Sequence, residues 1–177
     1  MVVHELTEQE CLAILAGTNV ARLACALDNQ PYVVPIHVHL EGEFLYSYAT
    51  EGQKIEWMRR NPLVCLEVAV LSSPTRWSSV VVFGRYEELP RLPEYKDARL
   101  VAQRLFQGHL MWWQPASVPL AGREYRNPVV FRIRIRRVTG RRGADDALTT
   151  AHMQENASHA RRRGWLESVL GRGSWRP

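Results

Sequence analysis

The residues with the clearest potential for chemistry lie in one short stretch, residues 46–54, whose sequence is Tyr-Ser-Tyr-Ala-Thr-Glu-Gly-Gln-Lys. Its first half has the pattern of a strand and its second half has the pattern of a helix start. The first turn of a helix carries backbone N–H groups without intrahelical acceptors and a partial positive charge. Hydroxyl groups and the cation Lys54 at such a junction therefore predict a seat for a phosphate group.

A structural explanation of the same stretch competes with the phosphate seat. Thr50-x-x-Gln53 fits a capping box, in which two side chains satisfy the helix start by themselves. A lysine is also common on a solvated surface. Capping does not account for Lys54, since a cation in the first helical turn opposes the helix dipole. From the residues alone, both explanations stay open.

Three histidines offer a second possible chemistry, which is metal binding. His37 and His39 lie two residues apart on one face of a predicted strand, and His109 could complete a three-histidine site. No carboxylate or cysteine completes the set nearby in the sequence, so we expect no metal site. Haem binding through the same histidines stays an alternative.

The end of the chain is strongly basic. Residues 123–177 hold 13 arginines against 5 acidic residues, although the net charge of the whole chain is only +5. Arg132, Arg134 and Arg136 alternate with isoleucines, which predicts three cations on one face of a strand. Such a face could contact the phosphates of nucleic acid, but no aromatic side chains alternate with these arginines. We therefore expect a solvated face that pairs with acidic residues of neighbouring strands, and we favour nucleic acid less as a partner.

The elements that must position these residues follow from hydrophobic periodicity and turn signals. Three helices are expected: residues 7–16, a helix that contains Ile55 and ends at Asn61-Pro62, and residues 94–107. Six strands are expected: residues 20–27, 32–40, 44–49, 63–71, 77–89 and 129–139. Gly84 in the fifth strand predicts a bulge or a bend. Because short turns join neighbouring strands, the pairing must be antiparallel. The sequence thus predicts a mainly β fold, a six-stranded antiparallel barrel of Greek-key type with flanking helices.

Length and composition predict one soluble domain followed by a tail. A chain of 177 residues with 46% apolar and 23% charged residues is typical of globular proteins. No apolar run approaches the ~20 residues that span a bilayer. We assign residues 1–142 to the barrel domain and residues 143–177 to a polar, arginine-rich tail with a possible short helix around Trp165. The first residues lack the pattern of a secretory signal, and the three cysteines form no C-x-x-C pair. We expect a cytoplasmic protein without membrane contact.

Several of these segments, taken in order, have the spacing of a known family. They are residues 31–36, residues 44–48, Gly52-x-Lys54, Asn61-Pro62-x-Val64 and residues 79–84. With them the chain resembles the FMN-binding split-barrel family. Within that family it is most similar to the pyridoxamine 5'-phosphate oxidase-related group that includes the nitroimidazole-resistance (Nim-type) flavoproteins. The resemblance covers about residues 5–140.

The resemblance implies an FMN-dependent oxidoreductase that acts on a small organic molecule, as a homodimer with FMN at the subunit interface. Flavin itself performs the redox chemistry, so no acid–base pair is needed and no catalytic residue is assigned. The residues implied to contact FMN are Lys54 and Gln53 at the phosphate; Ser47, Tyr48 and Ala49 along the phosphate and ribityl chain; Val34, Pro35 and Ile36 through backbone groups at the isoalloxazine edge; Ser79 on the long strand; and Trp112 over the flavin.

The resemblance leaves alternatives open for both the substrate and the cofactor. Pyridoxamine phosphate oxidases carry an arginine on the second core strand, where this chain has no cation between Tyr32 and Ile36. The resemblance therefore does not specify the substrate. F420 or haem could take the place of FMN, and the barrel could bind its cofactor without turnover.

Overall fold

The computed structural model describes residues 1–107 and 128–144, and these residues form eight strands and three α-helices. The strands are β1 (Val2–Leu6), β2 (Val20–Leu27), β3 (Gln30–His37), β4 (His39–Glu41), β5 (Phe44–Ala49), β6 (Leu63–Leu71), β7 (Trp77–Glu88) and β8 (Val129–Ala144). The helices are α1 (Glu8–Ala16), α2 (Gln53–Arg60) and α3 (Lys96–Phe106), the last preceded by a 3₁₀ turn at Pro93–Tyr95. None of these described helices has the length and apolar character required to cross a bilayer.

The predicted mainly β fold with its six strands and three helices is confirmed, with differences in extent. The run predicted as one strand over residues 32–40 is two strands, because β3 and β4 are separated at Val38. β8 continues to Ala144, beyond the predicted domain end at residue 142, and its last residues pair with β1, a strand that the sequence pattern did not predict. The predicted tail from residue 145 onward, including its short helix, lies outside the described residues.

Local sequence explains where several elements begin and turn. Thr7 starts α1 with the predicted capping box: the Glu10 N–H donates to Thr7 Oγ1 at 3.3 Å, and the Thr7 N–H donates to Glu10 Oε2 at 2.9 Å. Asp28 and Asn29 have positive φ angles of 50° and 63°, as a two-residue type I′ hairpin between β2 and β3 requires. Gly42 has φ 59° in the turn between β4 and β5, a conformation that glycine adopts without strain.

The strands form one antiparallel sheet that closes on itself only in part. Their order is β3-β2-β6-β7-β8-β5-β4, with β1 added to β8. The two ends of this order, β3 and β4, follow each other in the chain with only Val38 between them, so the ends of the sheet must lie side by side. Cα atoms of β3 and β5 come within 8 Å without a ladder of hydrogen bonds. The sheet is therefore a barrel with one open seam, which we call the split, between β3 and residues 47–49 of β5.

Apolar side chains from the long strands fill the interior of the barrel. The most buried of them include Leu23, Leu45, Leu66, Val82, Phe131 and Ile133. α2 closes the interior beside β2 with Ile55 and Met58, which are both fully buried. α3 packs on the outside of the sheet instead, where Ala102 contributes to a smaller cluster with Tyr46 and Leu89. The two helices therefore cover opposite faces of the sheet.

The β-bulge lies opposite Gly84, at the predicted position along β7, but its extra residue belongs to β8. The register between β7 and β8 shifts between Phe83 and Gly84, which leaves Arg136 of β8 without a partner in β7. A Cβ atom at position 84 would lie 2.5 Å from Ile133 Cγ2 and 2.9 Å from the backbone oxygen of Arg134. Only glycine permits this close approach of the two strands.

Candidate functional site

Two groups of the residues predicted to contact a cofactor, residues 34–36 and residues 47–49, lie on the two sides of the split. Val34, Pro35 and Ile36 belong to β3, which among the described strands is an edge strand that pairs with β2 alone. Residues 47–49 pair with β8 on one side, and no described strand pairs with their other side, since β4 reaches only as far as Tyr46. Each edge therefore has backbone N–H and C=O groups that do not take part in a ladder of hydrogen bonds with another described strand. The structure brings these two predicted groups of residues to the same seam.

Ser47 and Tyr48 point to opposite faces of β5, as successive residues of a strand must. Ser47 is fully buried on the interior face, together with Leu45 and Ala49. Its hydroxyl finds no hydrogen-bond partner among the residues that the structure describes. Tyr48 lies on the outer face, where its ring meets Phe106 of α3 edge-to-face at 4.6 Å between centroids, and burial raises the pKa of its hydroxyl. A single ligand can contact both Ser47 and Tyr48 only by lying along the edge of β5, where it reaches their backbone groups.

α2 begins later than the capping-box pattern predicts. Its first residue is Gln53 and its N-cap is Gly52, and no side chain in the described part of the chain caps the helix. Thr50 lies two residues before the cap, so the capping box predicted for Thr50 and Gln53 is wrong. The N–H groups of Gln53 and Lys54 belong to the first turn, and they have no acceptor within the helix. The capping-box part of the structural explanation is thereby removed, and among the described residues no side chain caps these donors.

Lys54 is half-buried at this helix start, against β2. Burial lowers the pKa of its ammonium group below the ordinary lysine value, and the thiol of Cys25 offsets part of that effect. In the described part of the chain no carboxylate and no hydrogen-bond acceptor pairs with the ammonium group. A half-buried cation without a counter-ion is unfavourable. An anion bound at the neighbouring N–H groups would relieve that penalty.

A cluster of charged side chains fixes the residue that precedes the cap of α2. Arg59, near the end of α2, donates to the two carboxylate oxygens of Glu51 at 2.8 and 3.0 Å. It also donates to both oxygens of Glu88 in β7 at 2.7 and 2.8 Å. The Tyr86 hydroxyl donates to Glu88 at 2.9 Å. The hydrogen bond from Arg59 lowers the pKa of Glu88, whereas burial and then the contact with Glu88 raise the pKa of Tyr86.

Sequence reasoning did not identify this cluster. The one available signal was the spacing of eight residues between Glu51 and Arg59, which places a carboxylate before the helix and a cation near its end. Glu88 lies 29 residues from Arg59 and comes from a different element, so no local pattern joins them.

Ser79 lies away from Lys54 within one chain. It is on the outer face of β7, between β6 and β8. Its hydroxyl donates to Glu67 at 3.2 Å, and Glu67 also pairs with Arg22 at 2.6 Å. Trp112 lies outside the described residues, so its position over a cofactor stays a prediction.

The histidines do not share a strand as predicted. His37 ends β3 and His39 begins β4, because the chain leaves one end of the sheet and enters the other at this point. The His39 ring packs edge-on against Phe106 at 5.2 Å between centroids. Among the residues of 1–107 and 128–144, no group of three His, Cys, Asp or Glu side chains could hold a metal ion. His109 lies outside these ranges.

Two of the predicted arginines of β8 pair with acidic residues of neighbouring strands, as expected. Arg132 contacts Glu87 at 2.9 Å, and Arg134 contacts Glu43 at 3.1 Å. The guanidinium of Arg132 also lies 3.8 Å from the centroid of the Phe44 ring. Both arginines therefore form salt bridges with carboxylates of the same chain. This pairing favours the solvated-face interpretation over a nucleic-acid surface.

Comparisons with known proteins agree with this architecture. The sequence matches the Pyridoxamine 5'-phosphate oxidase family over residues 7–142. It is 38% identical over 144 residues to an uncharacterized protein of Rhizobium meliloti, with 80% of this chain and 95% of that protein covered. Among solved structures it is similar to a FAD-binding protein from Mesorhizobium loti, with 41% identity, a TM-score of 0.70, and 82% of this chain and 99% of that chain covered.

A more distant structure has the same fold. It comes from Bacteroides thetaiotaomicron, and its name assigns it to 5-nitroimidazole antibiotic resistance. The identity is 21% and the TM-score 0.56, with 82% of this chain and 93% of that chain covered. The family match over residues 7–142 spans the residues of the split, the start of α2 and the cluster around Arg59.

Proposed function

Because this chain belongs to the pyridoxamine 5'-phosphate oxidase family, we propose that it is a flavoprotein that binds FMN at the split, with the phosphate at the start of α2. The observation that carries this proposal is Lys54, a half-buried cation beside two first-turn N–H groups, for which the described chain supplies no anion. The Mesorhizobium loti relative is named a FAD-binding protein, which supports flavin as the class of cofactor.

The residues at the start of α2 fit a single phosphate group. A phosphate monoester carries close to two negative charges at neutral pH and accepts several hydrogen bonds. The backbone N–H groups of Gln53 and Lys54, the side-chain amide of Gln53 and the ammonium group of Lys54 can supply the donors. The nearby cation Arg59 is already held by Glu51 and Glu88. One cation and one helix start suit the single phosphate of FMN better than the pyrophosphate of FAD.

The ring system of the flavin has a matching place along the split. Val34, Pro35 and Ile36 lie on β3, whose described partner strand is β2, and residues 47–49 lie on the edge of β5 that faces away from β8. A planar ring with donors and acceptors along its rim can use backbone groups that would otherwise pair with a neighbouring strand. When bound, flavin accepts a hydride and passes the electrons to a second acceptor, while the chain binds and orients it.

We also propose a homodimer in which the second chain completes each flavin site. The outer face of the sheet carries Val33, Ala24, Cys65 and Phe83 in register on four neighbouring strands. Val33 is 58% exposed and Phe83 39% exposed, so this row is an apolar surface that a second copy would cover. Ser79 lies on the same outer face, and in a dimer it becomes available to the flavin of the partner.

The activity that we propose is an oxidoreduction of a small organic molecule, carried out in the cytoplasm. Family membership supports the class of reaction, and no substrate is specified. Cys11 and Cys25 are buried free thiols, and burial raises the pKa of both. Thiols kept in this state suit a reducing compartment.

The test is to identify what the protein carries and whether it turns over. Protein purified without added cofactor is denatured, and the released compound is compared by chromatography with FMN, FAD, F420 and haem. We expect FMN, and we expect NAD(P)H oxidation by the loaded protein in the presence of oxygen or a small organic acceptor. Release of haem, or no release together with no binding of added FMN, contradicts the proposal. Bound FMN without turnover by any donor identifies the non-catalytic alternative.

A further inference from the structure

We propose that Arg59 is a positioning residue that keeps the carboxylate of Glu51 out of the phosphate seat, so that the start of α2 can accept an external anion. This inference rests on the proposed function, since it concerns the same seat. It adds a residue that neither the sequence pattern nor the family resemblance identifies, and it predicts an antagonist of binding, Glu51, within the chain itself.

The geometry shows a carboxylate fixed in place by two-point contact. Both guanidinium NH₂ groups of Arg59 donate to the two oxygens of Glu51, at 2.8 and 3.0 Å. Such a planar, two-point pair restricts orientation more than a single contact does. The other edge of the guanidinium is fixed by Glu88, which in turn accepts from Tyr86 at 2.9 Å. Arg59 is therefore anchored to β7 and holds Glu51 from there.

Glu51 needs such a restraint because of where it stands in the chain. It immediately precedes Gly52, the N-cap, and lies three residues before Lys54. The first turn has N–H donors without acceptors within the helix, and no side chain of residues 1–107 or 128–144 caps them. A released carboxylate at this position could accept from those N–H groups or pair with the Lys54 ammonium group, and either contact would exclude a phosphate. Even without contact, its negative charge would repel one.

The charges in the cluster show why Arg59 is suited to this role. Two carboxylates, Glu51 and Glu88, share one guanidinium, so Arg59 has no free donor edge that would make it a second phosphate ligand. Its effect on a phosphate is therefore exerted through Glu51. Loss of Arg59 should weaken binding of ligands that carry the phosphate and should leave ligands without it unaffected.

The experiment compares FMN with riboflavin, which has the same ring and ribityl chain but no phosphate. The variant Arg59→Met keeps an unbranched apolar stem and removes the guanidinium. We expect its Kd for FMN to rise about tenfold, which corresponds to ~1.4 kcal/mol, and its Kd for riboflavin to stay within about twofold. The double variant Arg59→Met/Glu51→Gln should return the Kd for FMN to within about threefold of the unsubstituted protein. Both constants are measured by quenching of flavin fluorescence on apoprotein.

Arg60→Met is the matched control. It removes a cation from the adjacent position of the same helix, where Arg60 is exposed and lies 3.7 Å from the carboxylate of Asp28. We expect FMN and riboflavin affinities to remain unchanged. An equal loss of FMN affinity in Arg59→Met and Arg60→Met would show that net charge alone is responsible, and would overturn the proposal.

Further outcomes separate this role from a purely structural one. Equal losses for FMN and riboflavin, or no rescue in the double variant, would overturn the proposal. If Arg59→Met does not fold, Glu51→Gln alone is tested, and FMN affinity should then stay equal or increase; a decrease refutes the role given to Glu51. If Lys54→Met abolishes FMN binding while Arg59→Met leaves it intact, only this inference fails. If the unsubstituted protein binds no flavin, the proposed function fails instead.

Discussion

Replacement of Lys54 by methionine separates the contribution of this residue to binding from its contribution to folding. Methionine keeps an unbranched stem that can pack against β2, and it removes the ammonium group. In the apoprotein that group is half-buried, its pKa is lowered by burial, and no carboxylate in the described part of the chain compensates it. A residue that only supports the fold would be expected to destabilise the protein when it is replaced. Lys54 should behave in the opposite way.

The expected change in affinity follows from the loss of a charge-assisted hydrogen bond. Such a bond contributes about 1.5 to 3 kcal/mol. The Kd of Lys54→Met for FMN should therefore rise about 10- to 150-fold, while the Kd for riboflavin changes little. The urea midpoint of the apoprotein should stay the same or increase, because an uncompensated cation is removed from a half-buried position.

The assay uses fluorescence quenching for both flavins and urea unfolding for the apoprotein. The chain contains one other lysine, Lys96, which is exposed at the start of α3, so Lys96→Met is a matched control that loses the same charge. The control should change neither affinity nor stability. A Lys54→Met protein that binds FMN as tightly as the unsubstituted protein would refute the phosphate seat, and equal losses for FMN and riboflavin would refute the role of the ammonium group.

Two further predictions concern pH and the close strand approach at Gly84. Burial lowers the pKa of Lys54 in the apoprotein, so FMN affinity should decrease as pH rises, beginning below the range in which exposed lysines titrate. The stability of the apoprotein should increase over the same pH range, since loss of the proton removes the buried charge. Titrations of FMN against pH check this, and a profile identical to that of Lys54→Met would contradict it. Gly84→Ala should destabilise the protein by about 1 to 3 kcal/mol, because its Cβ would lie 2.9 Å from the Arg134 backbone oxygen. Gly17→Ala, whose Cβ would have nothing nearer than 3.7 Å, should change the urea midpoint much less, and similar midpoints for the two variants would argue against the steric account.

Most of the fold was predictable because its elements are encoded locally. The Thr7 and Glu10 pair marks the start of α1, and Asp28 with Asn29 forms the turn that joins β2 and β3. Gly84 sits where one strand must approach another closely. β1 was missed because its partners lie at the far end of the chain, with Val2 opposite Ala144. A five-residue strand whose pairing is that distant leaves no local pattern.

The candidate site was predictable in its chain position but not in its geometry. The junction before Lys54 was recognisable from residue types, yet the N-cap of α2 is Gly52 rather than Thr50, so the predicted capping box does not form. The opposite orientations of Ser47 and Tyr48 follow from strand geometry alone and could have been deduced. The cluster of Arg59 with Glu88 depends on how α2 packs beside β7, which sequence periodicity does not specify.

The measurement that tests the central claim most directly is an absorption spectrum of the protein purified without added cofactor. It is recorded once as purified and again after incubation with FMN and removal of the excess. We expect the two characteristic bands of an oxidised flavin in the first spectrum, or in the second if the cofactor was lost, and we expect their intensity to fall in Lys54→Met. A sharp haem band, or a spectrum without visible absorption after FMN treatment, would contradict the assignment of a flavin site at the split.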